Sequence, residues 1–410
     1  MNALLDSLLA GRDDAASRAI RGTGLPGPRS EAWKYTPLRA FERRAFSPAR
    51  PVQADATWIE GIPAPRIVFV NGHFDAALSD LEALPEGLDI MHGRDRSGAI
   101  EIETDTNAWF PAGDDVFANL NAELAGDGAR ITANAIIDTP LHLVTLNLHD
   151  GEDRAIHLHH AVTLSADAAL TVVEHQLGDH QANLDNSRID ITLGDRARLK
   201  HLRVQDDGIG ASRFLRTDAT LATQSNYRRL DLELGAALSR HELNINLNGE
   251  AASLHSGGVL MAHGKRHLDT RLGIVHAAGN THSELPWRGL ADGRARAVFH
   301  GGIRIEAGAD GSRANLQNRN LLLSDAAEID TQPVLVIHAD EVQAAHGATV
   351  GQLDATALFY LRSRGIPQDE ARRIMTVAFC REVLSMVEDT TLRATLETRI
   401  GRALARMQDA

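Results

Sequence analysis

Residues 242–255 read ELNINLNGEAASLH, and this stretch decides the fold class. Leu243, Ile245 and Leu247 alternate with polar residues, which predicts a β-strand with one apolar face. The small residues of the segment NGEAA then form a corner, because Gly accepts a sharp bend and Ala fits where chains crowd. A second strand begins at once after the corner, so the segment predicts strand, tight corner and strand.

The same pattern recurs along most of the chain between Arg130 and Asp340. Alternating runs begin about 10 to 15 residues apart, the spacing of an all-β domain. The runs are LHLVTLNL, AIHLHHAVTL, LTVVEH, SRIDITL, ARLKHLRV, RRLDLEL, ELNINLN, RLGIVH and PVLVIH. The corners between them also share a composition, as in SADAALTV, LGDRARLKH, LGAALSRHE, LNGEAASLH, DGRARAVFH, GADGSRANL and SDAAEIDT.

A recurring corner favours a β-solenoid, in which each coil stacks only on its neighbours. A sandwich or barrel is the alternative, but its wide core needs more aromatic residues than the 4% found here. We therefore predict a mainly β protein with α elements, built on a central right-handed parallel β-helix with helical regions at both ends.

Composition shifts divide the chain into four predicted parts. Residues 1–65 form an N-terminal helical region and connector, and 66–129 a mixed entry segment. The β-helix core spans 130–350, and 351–410 form a C-terminal helical domain, where Asp354 is positioned to cap the first helix.

Charge and composition exclude several classes of protein. The net charge of −13 argues against nucleic acid as a partner. No stretch is apolar enough for a membrane span, and the N-terminus lacks the basic region of a secretory signal, so a cytoplasmic location is expected. The single cysteine, Cys380, cannot hold a cluster alone and lies on the apolar stripe of a predicted helix, which indicates a buried thiol.

Two enzyme hypotheses remain open from the residues alone. His157 and His159 lie two apart on a predicted strand, as in a cupin-like metal site that Glu174 and His175 would complete. A β-helix enzyme acting on polysaccharide would instead need paired carboxylates on a concave face. Asp231 and Glu233 share one strand face, but simple polar alternation accounts for them without catalysis.

Two sequence motifs of enzymes are missing, and the absence of the first shows that this chain is not a P-loop NTPase. The sequence contains three lysines, and none of them follows the glycine pattern of a P-loop. A nucleophile elbow of the form G-x-S-x-G is also missing.

One segment is far more specific than these patterns. Residues 340–372 read DEVQAAHGATVGQLDATALFYLRSRGIPQDEAR, which resembles the H-G-A-T-V-G and F-Y-L-x-S-R-G motifs of the SufB/SufD family of iron–sulfur cluster assembly proteins. EAWKYTPL (31–38), VFVNGHFDAALSDL (68–81), FANLNAEL (117–124) and QNRNLLLSDAAEIDTQP (317–333) resemble the SufD branch of that family. The resemblance covers nearly the whole chain.

The resemblance implies a non-catalytic scaffold subunit with a β-helix between two helical regions. It implies pairing with SufB through the β-helix and docking of the ATPase SufC by the C-terminal helices, which supports iron acquisition and nascent cluster assembly. The isolated chain is expected to hold no cofactor, with iron or an iron–sulfur cluster present only transiently in the complex. Because a solenoid has open ends, a homodimer is also expected when the partner is absent.

The resemblance also singles out residues. The family motif often carries cysteine and histidine before G-A-T; here these positions are Ala344 and His346, so this position supplies no thiolate. His346 is a candidate single ligand of iron or of the cluster at the SufB interface, and an equal alternative is a structural imidazole at the junction between sheet and helix. Tyr360, Arg362 and Arg364 are candidate SufC contacts, although core packing would also explain Tyr360.

Overall fold

The computed structural model describes residues 2–27, 29–93 and 108–408. Six α-helices are described: α1 (Ala3–Leu8), α2 (Ala15–Thr23), α3 (Val116–Leu124), α4 (Ala355–Ser363), α5 (Gln368–Leu384) and α6 (Thr390–Gln408). Short 3₁₀ turns cover Glu31–Trp33, Leu38–Arg43, Ala56–Ile59 and Ala112–Asp114. None of the described helices is long and apolar enough to cross a membrane.

The strands follow one another with only corners between most of them. They are β1 (Ser47–Pro48), β2 (Arg66–Val70), β3 (His73–Phe74), β4 (Leu88–His92), β5 (Ala129–Ala133), β6 (Leu141–Asn147), β7 (Arg154–Ile156), β8 (His159–Leu164), β9 (Ala169–Gly178), β10 (Leu184–Leu193), β11 (Arg198–Asp206), β12 (Ser212–Leu221), β13 (Asn226–Glu233), β14 (Leu238–Leu247), β15 (Ser253–Ala262), β16 (His267–His276), β17 (His282–Ala291), β18 (Arg296–Ile305), β19 (Arg313–Leu322), β20 (Glu328–Ile337) and β21 (Gln343–Gly351).

Alternate strands join two sheets, which together make a β-solenoid of about eight coils. The coils pair in parallel, and the pairs β2–β3 and β4–β5 at the N-terminal end are antiparallel. In sheet I the order is β4, β5, β8 and then every even strand to β20; β1 and β7 join it at β10. In sheet II the order is β3, β2, β6, β9 and then every odd strand to β21. The predicted mainly β solenoid with helical ends is confirmed.

The corners lie where the sequence pattern predicts them. The residue that makes the sharp bend, however, is often not the expected glycine. At one corner, a residue in the left-handed region recurs about every 28 residues, and in five successive coils it is not glycine. These residues are Asp167, Arg196, Gln224, Ala251 and Asn280. A non-glycine residue with positive φ costs free energy, which the backbone hydrogen bonds between successive corners offset. One such bond runs from Arg196 N to Thr223 O at 2.9 Å.

The strands are in register, so inward side chains form columns that run from coil to coil. One column of sheet II contains His201, Arg229 and, on β19 and β21, Leu316 and His346. Half of the solenoid interior is the apolar core expected from the alternation, filled by residues such as Leu199, Ile245 and Leu254. The other half is charged, which the sequence pattern did not predict.

The helices at the two ends cover opposite outer faces of the solenoid. Helices α5 and α6 pack on sheet II, where Leu202, Leu230 and Val259 meet Cys380 and Val383. The N-terminal region and α3 pack on sheet I in a second cluster; Trp33, Phe41, Phe117 and Phe214 belong to it. Each outer face is therefore apolar where a helix or the N-terminal region covers it.

The chain after Gly351 is helical, as predicted, and forms α4, α5 and α6. The four domain boundaries remain predictions, and part of the entry segment, residues 94–107, lies outside the described residues.

Candidate functional site

The last coil leaves one end of the solenoid open. β20 and β21 are the terminal strands of sheets I and II, so among the described residues each pairs with a strand on one side only. A parallel edge of this kind presents unpaired backbone N–H and C=O groups to a partner. We call this end the mouth of the solenoid and define it by β20 and β21.

In the described part of the chain, no further coil covers the side chains with which the inward columns end at the mouth. On β21 these are Ala344, His346, Ala348 and Val350, which follow Ala314, Leu316, Asn318 and Asn320 of β19. On β20 they are Ile329, Thr331, Pro333, Leu335 and Ile337, which follow Ala297, Phe299, Gly301, Ile303 and Ile305 of β18. Thr331 Oγ1 donates to Asn318 Oδ1 at 2.7 Å, which shows that these two columns face each other across the interior.

Apolar side chains are exposed at the mouth although their column neighbours are buried. Ile337 is 42% exposed and Val350 43%, whereas Ile305, one coil earlier, is fully buried. The mouth is thus a solenoid cross-section with part of its apolar core uncovered, a surface that a second solenoid of similar cross-section would bury.

His346 lies near the middle of β21, not at the junction between sheet and helix. Its imidazole is exposed and has no hydrogen-bond partner among the residues that the structure describes. Ala344 lies on the same inward side, two residues earlier, so both positions of the family motif face the mouth. In the described part of the chain, no group of three or more His, Cys, Asp and Glu is placed to hold a metal ion.

A second exposed surface lies on α4, which immediately follows β21. Asp354 caps the helix by accepting from the backbone of Thr356 at 2.8 Å, as the sequence predicts. The helix buries none of its residues; Phe359 is 71% exposed and Tyr360 56%. Core packing therefore does not explain Tyr360.

The structure brings together two of the three predicted contact residues, Tyr360 in α4 and Arg364 at its C-cap. The Arg364 guanidinium donates to the Tyr360 hydroxyl at 2.8 Å and lies 4.9 Å from the centre of its ring. Arg362 is exposed nearby. The sequence analysis did not identify Phe359 as a candidate contact residue. The signal that could have identified it is the Phe359–Tyr360 pair on a helix that directly follows the last strand.

The histidine hypothesis for a metal site is not supported by the geometry. His157 precedes β8, and its Nδ1 lies 3.3 Å from the amide of Asn186. His159 instead contacts Asp190 at 2.7 Å on the outer face of sheet I. The Glu174 carboxylate is buried 3.0 Å from His201 of sheet II, so it does not complete a site with the pair.

The geometry also does not support a polysaccharide enzyme that uses Asp231 and Glu233. Asp231 and Glu233 point into the solenoid, where both are essentially fully buried. Arg203 donates to each of them, and Arg229 binds Asp231 through two hydrogen bonds of 2.7 and 2.8 Å. The two carboxylates do share one strand face, and that face points inward, where they form an internal ion-pair network.

Cys380 is buried in the cluster between α5 and sheet II, as predicted. Burial raises the pKa of its thiol to about 12, and the Arg288 charge lowers it only in part. The thiol is therefore protonated at neutral pH and is a poor nucleophile or metal ligand.

Comparison with known proteins assigns the chain. Residues 147–379 match the SufBD core domain of the SUF system for FeS cluster assembly. The chain is 31% identical over 394 residues to the iron–sulfur cluster assembly protein SufD of Escherichia coli, covering 93% of this chain and 90% of that protein. It is 31% identical over 417 residues to an iron–sulfur cluster assembly SufBD family protein of Synechocystis, covering 95% of this chain and 90% of the relative. A solenoid of this kind, the intact H-G-A-T-V-G motif on its last strand and these matches lead to one conclusion: the chain belongs to the SufB/SufD family of iron–sulfur cluster assembly proteins.

Proposed function

We propose that this chain is a non-catalytic scaffold subunit of an iron–sulfur cluster assembly complex, in which it pairs with SufB through the mouth and docks SufC through α4. The observation that carries the proposal is the uncovered core at the mouth. Unpaired strand edges and half-exposed apolar side chains favour an end-to-end partner with the same cross-section. SufB, as a member of the same family, supplies that cross-section.

The pairing is tested by a substitution on the inward face of β21. Val350→Glu places a charge on the surface that the partner would bury, whereas Thr349→Glu places it on the outward face of the same strand. Co-purification with SufB should be lost for the first variant and kept for the second. Equal retention of SufB by both variants would contradict pairing through the mouth.

For SufC docking, the aromatic pair of α4 is the proposed anchor, and Arg362 and Arg364 supply charged contacts beside it. Phe359→Ser with Tyr360→Ala should abolish binding of SufC and stimulation of its ATPase activity. Met91→Ala is the control, because Met91 is 63% exposed on β4, at the other end of sheet I. Removing all residues after Gly351 is a poorer test, since it would uncover the apolar face of sheet II under α5 and α6.

His346 is the proposed contact of this chain with iron or the nascent cluster, which pass through the complex as substrate. Its imidazole faces the mouth, and Ala344 supplies no thiolate, so the remaining ligands would come from SufB. His346→Ala should lower cluster yield in the reconstituted complex without loss of SufB. His338→Ala is the matched control at the same end, and an unchanged yield and spectrum in the His346 variant would refute the ligand role.

A further inference from the structure

Three arginines lie along one side of α6, next to its apolar stripe. Arg399, Arg402 and Arg406 are three and four residues apart, so they share one face of the helix. The neighbouring face carries Ile400 and Leu404 and packs on sheet II. The three arginines therefore lie where α6 borders the sheet, and the function proposed above makes no use of them.

A fourth arginine reaches this border from the solenoid. Arg266 lies in the corner between β15 and β16 and is buried, and its Nη1 donates to the backbone carbonyl of Leu234 at 2.8 Å. It forms no salt bridge with any residue that the structure describes. Burial, followed by the charge of Arg406, lowers the pKa of Arg266 to about 10. The positive charge at this border is therefore poorly compensated.

Among the described residues, the four arginines share one carboxylate. Asp206 lies at the end of β11 and accepts a hydrogen bond from Arg406 Nη2 at 2.6 Å. The Asp206 charge also acts on Arg266 and Arg399, whose pKa it raises against the effect of burial. The pKa of Arg399 is lowered all the same, because burial is the largest cause and the charges of Arg402 and Arg406 add to it. One acid for four guanidiniums leaves a local excess of positive charge on a chain whose net charge is −13.

Two of the guanidiniums are free to bind a ligand. In the described part of the chain, the side chains of Arg399 and Arg402 form no hydrogen bond or salt bridge. Arg402 is exposed, and the nitrogen atoms of the half-buried Arg399 all remain accessible to solvent. The planar fork of a guanidinium matches the oxygen atoms of a phosphate group.

We propose that these arginines bind a small anion that carries two or more negative charges on phosphate groups. Arg399 and Arg402 donate hydrogen bonds to the anion, and the nearby charge of Arg266 adds to the attraction. About 10 Å of helix separates Arg399 from Arg406, which suits an anion of the size of pyrophosphate. The same chemistry is found in a free phosphate compound and in a lipid head group.

Two titrations of the full chain at low salt test the proposal and distinguish the two sources. Calorimetry with pyrophosphate probes a free anion, and sedimentation with phosphatidylcholine vesicles, with and without phosphatidylglycerol, probes a lipid head group. We expect pyrophosphate to bind with a stoichiometry of one at millimolar concentration or below. Binding only to the vesicles that contain phosphatidylglycerol would identify a lipid head group as the source. Failure of both pyrophosphate and these vesicles to bind would overturn the proposal.

Substitutions on α6 locate the binding. Arg399→Gln with Arg402→Gln should lower affinity for the anion at least about tenfold. Arg393→Gln removes the same charge from another face of α6 and should leave affinity unchanged. Arg402→Glu changes a single exposed position, so it decides the matter even if the double variant misfolds. Unchanged affinity in Arg402→Glu would overturn the proposal, and so would an equal loss in Arg393→Gln, because general charge would then explain the binding.

Discussion

The indole of Trp287 occupies the space that a β-carbon on Gly258 would need. The two residues are directly paired on β15 and β17, and Trp287 is fully buried inside the solenoid. The Trp287 ring also lies 5.5 Å from that of Phe299 on the opposite sheet. The ring pair lies inside the solenoid between the charged strands β11 and β13 and the mouth.

Gly258→Ala should therefore destabilise the protein by about 1–3 kcal/mol, because the added methyl group overlaps with the Trp287 ring. Urea unfolding measures the change. Gly347→Ala on β21 is the control, since nothing lies within 4 Å of its added β-carbon. Equal stabilities of the two variants would show that the indole can move aside at no cost.

Arg229→Met should destabilise the protein by about 3–5 kcal/mol, because it leaves the Asp231 carboxylate buried without its main partner. Burial by itself raises the pKa of Asp231, but the Arg229 charge lowers it below its ordinary value. In the parent protein this pair stabilises the fold above the pKa of an unfolded aspartate and loses that effect as the pH falls through the folded pKa.

Urea unfolding between pH 3 and pH 8 tests this expectation: the variant's deficit should be largest near neutral pH and shrink in acid. Arg196→Met breaks an exposed pair with Asp167 and should cost at most about 1 kcal/mol. A similar small cost for both variants would contradict the role of the internal network.

Asp115→Asn should stabilise the protein at pH 7.5 by about 2 kcal/mol. Burial, followed by the charge of Glu242, raises the pKa of Asp115 to about 6. Because this folded pKa lies above the unfolded one, the stability contribution of Asp115 falls as the pH rises from about 4 to about 6 and stays lost above that. Asparagine keeps the cap that Asp115 Oδ1 provides to Phe117 N at 3.0 Å.

Thermal unfolding at pH 4 and pH 7.5 measures this effect, which should disappear at the lower pH. Asp114→Asn, at the exposed neighbouring position, should change stability little at either pH. A gain of equal size at both pH values would point to a cause other than the charge of Asp115.

Cys380 should resist thiol reagents in the native state at pH 8, because its thiol is buried and its pKa is raised to about 12. Labelling should become complete in denaturing urea. Ser385→Cys, which adds an exposed thiol one residue after α5, should react rapidly in the native protein. Fast native labelling of the parent chain would mean that α5 opens readily from sheet II.

The strand alternation and the recurring small-residue corners were sufficient to predict a solenoid, and the 340–372 motif to predict the family. The cap formed by Asp354 and the position of Cys380 on an apolar stripe could likewise be predicted from the sequence, because helix caps and stripes depend on neighbours within a few residues. The sequence could not decide whether Tyr360 is exposed or packed in the core, because exposure depends on what α4 packs against.

The sequence by itself determined the period of the strands, the position of the corners and the order of the helices, because each of these follows from local side-chain spacing. Only the tertiary structure decided that Asp231 and Glu233 point inward, that His346 faces an uncovered mouth and that Arg266 and Asp206 lie beside the arginines of α6. Alternation shows that two faces differ but not which face points into the solenoid. Convergence of residues far apart in sequence depends on the register of stacked coils, which no local pattern encodes.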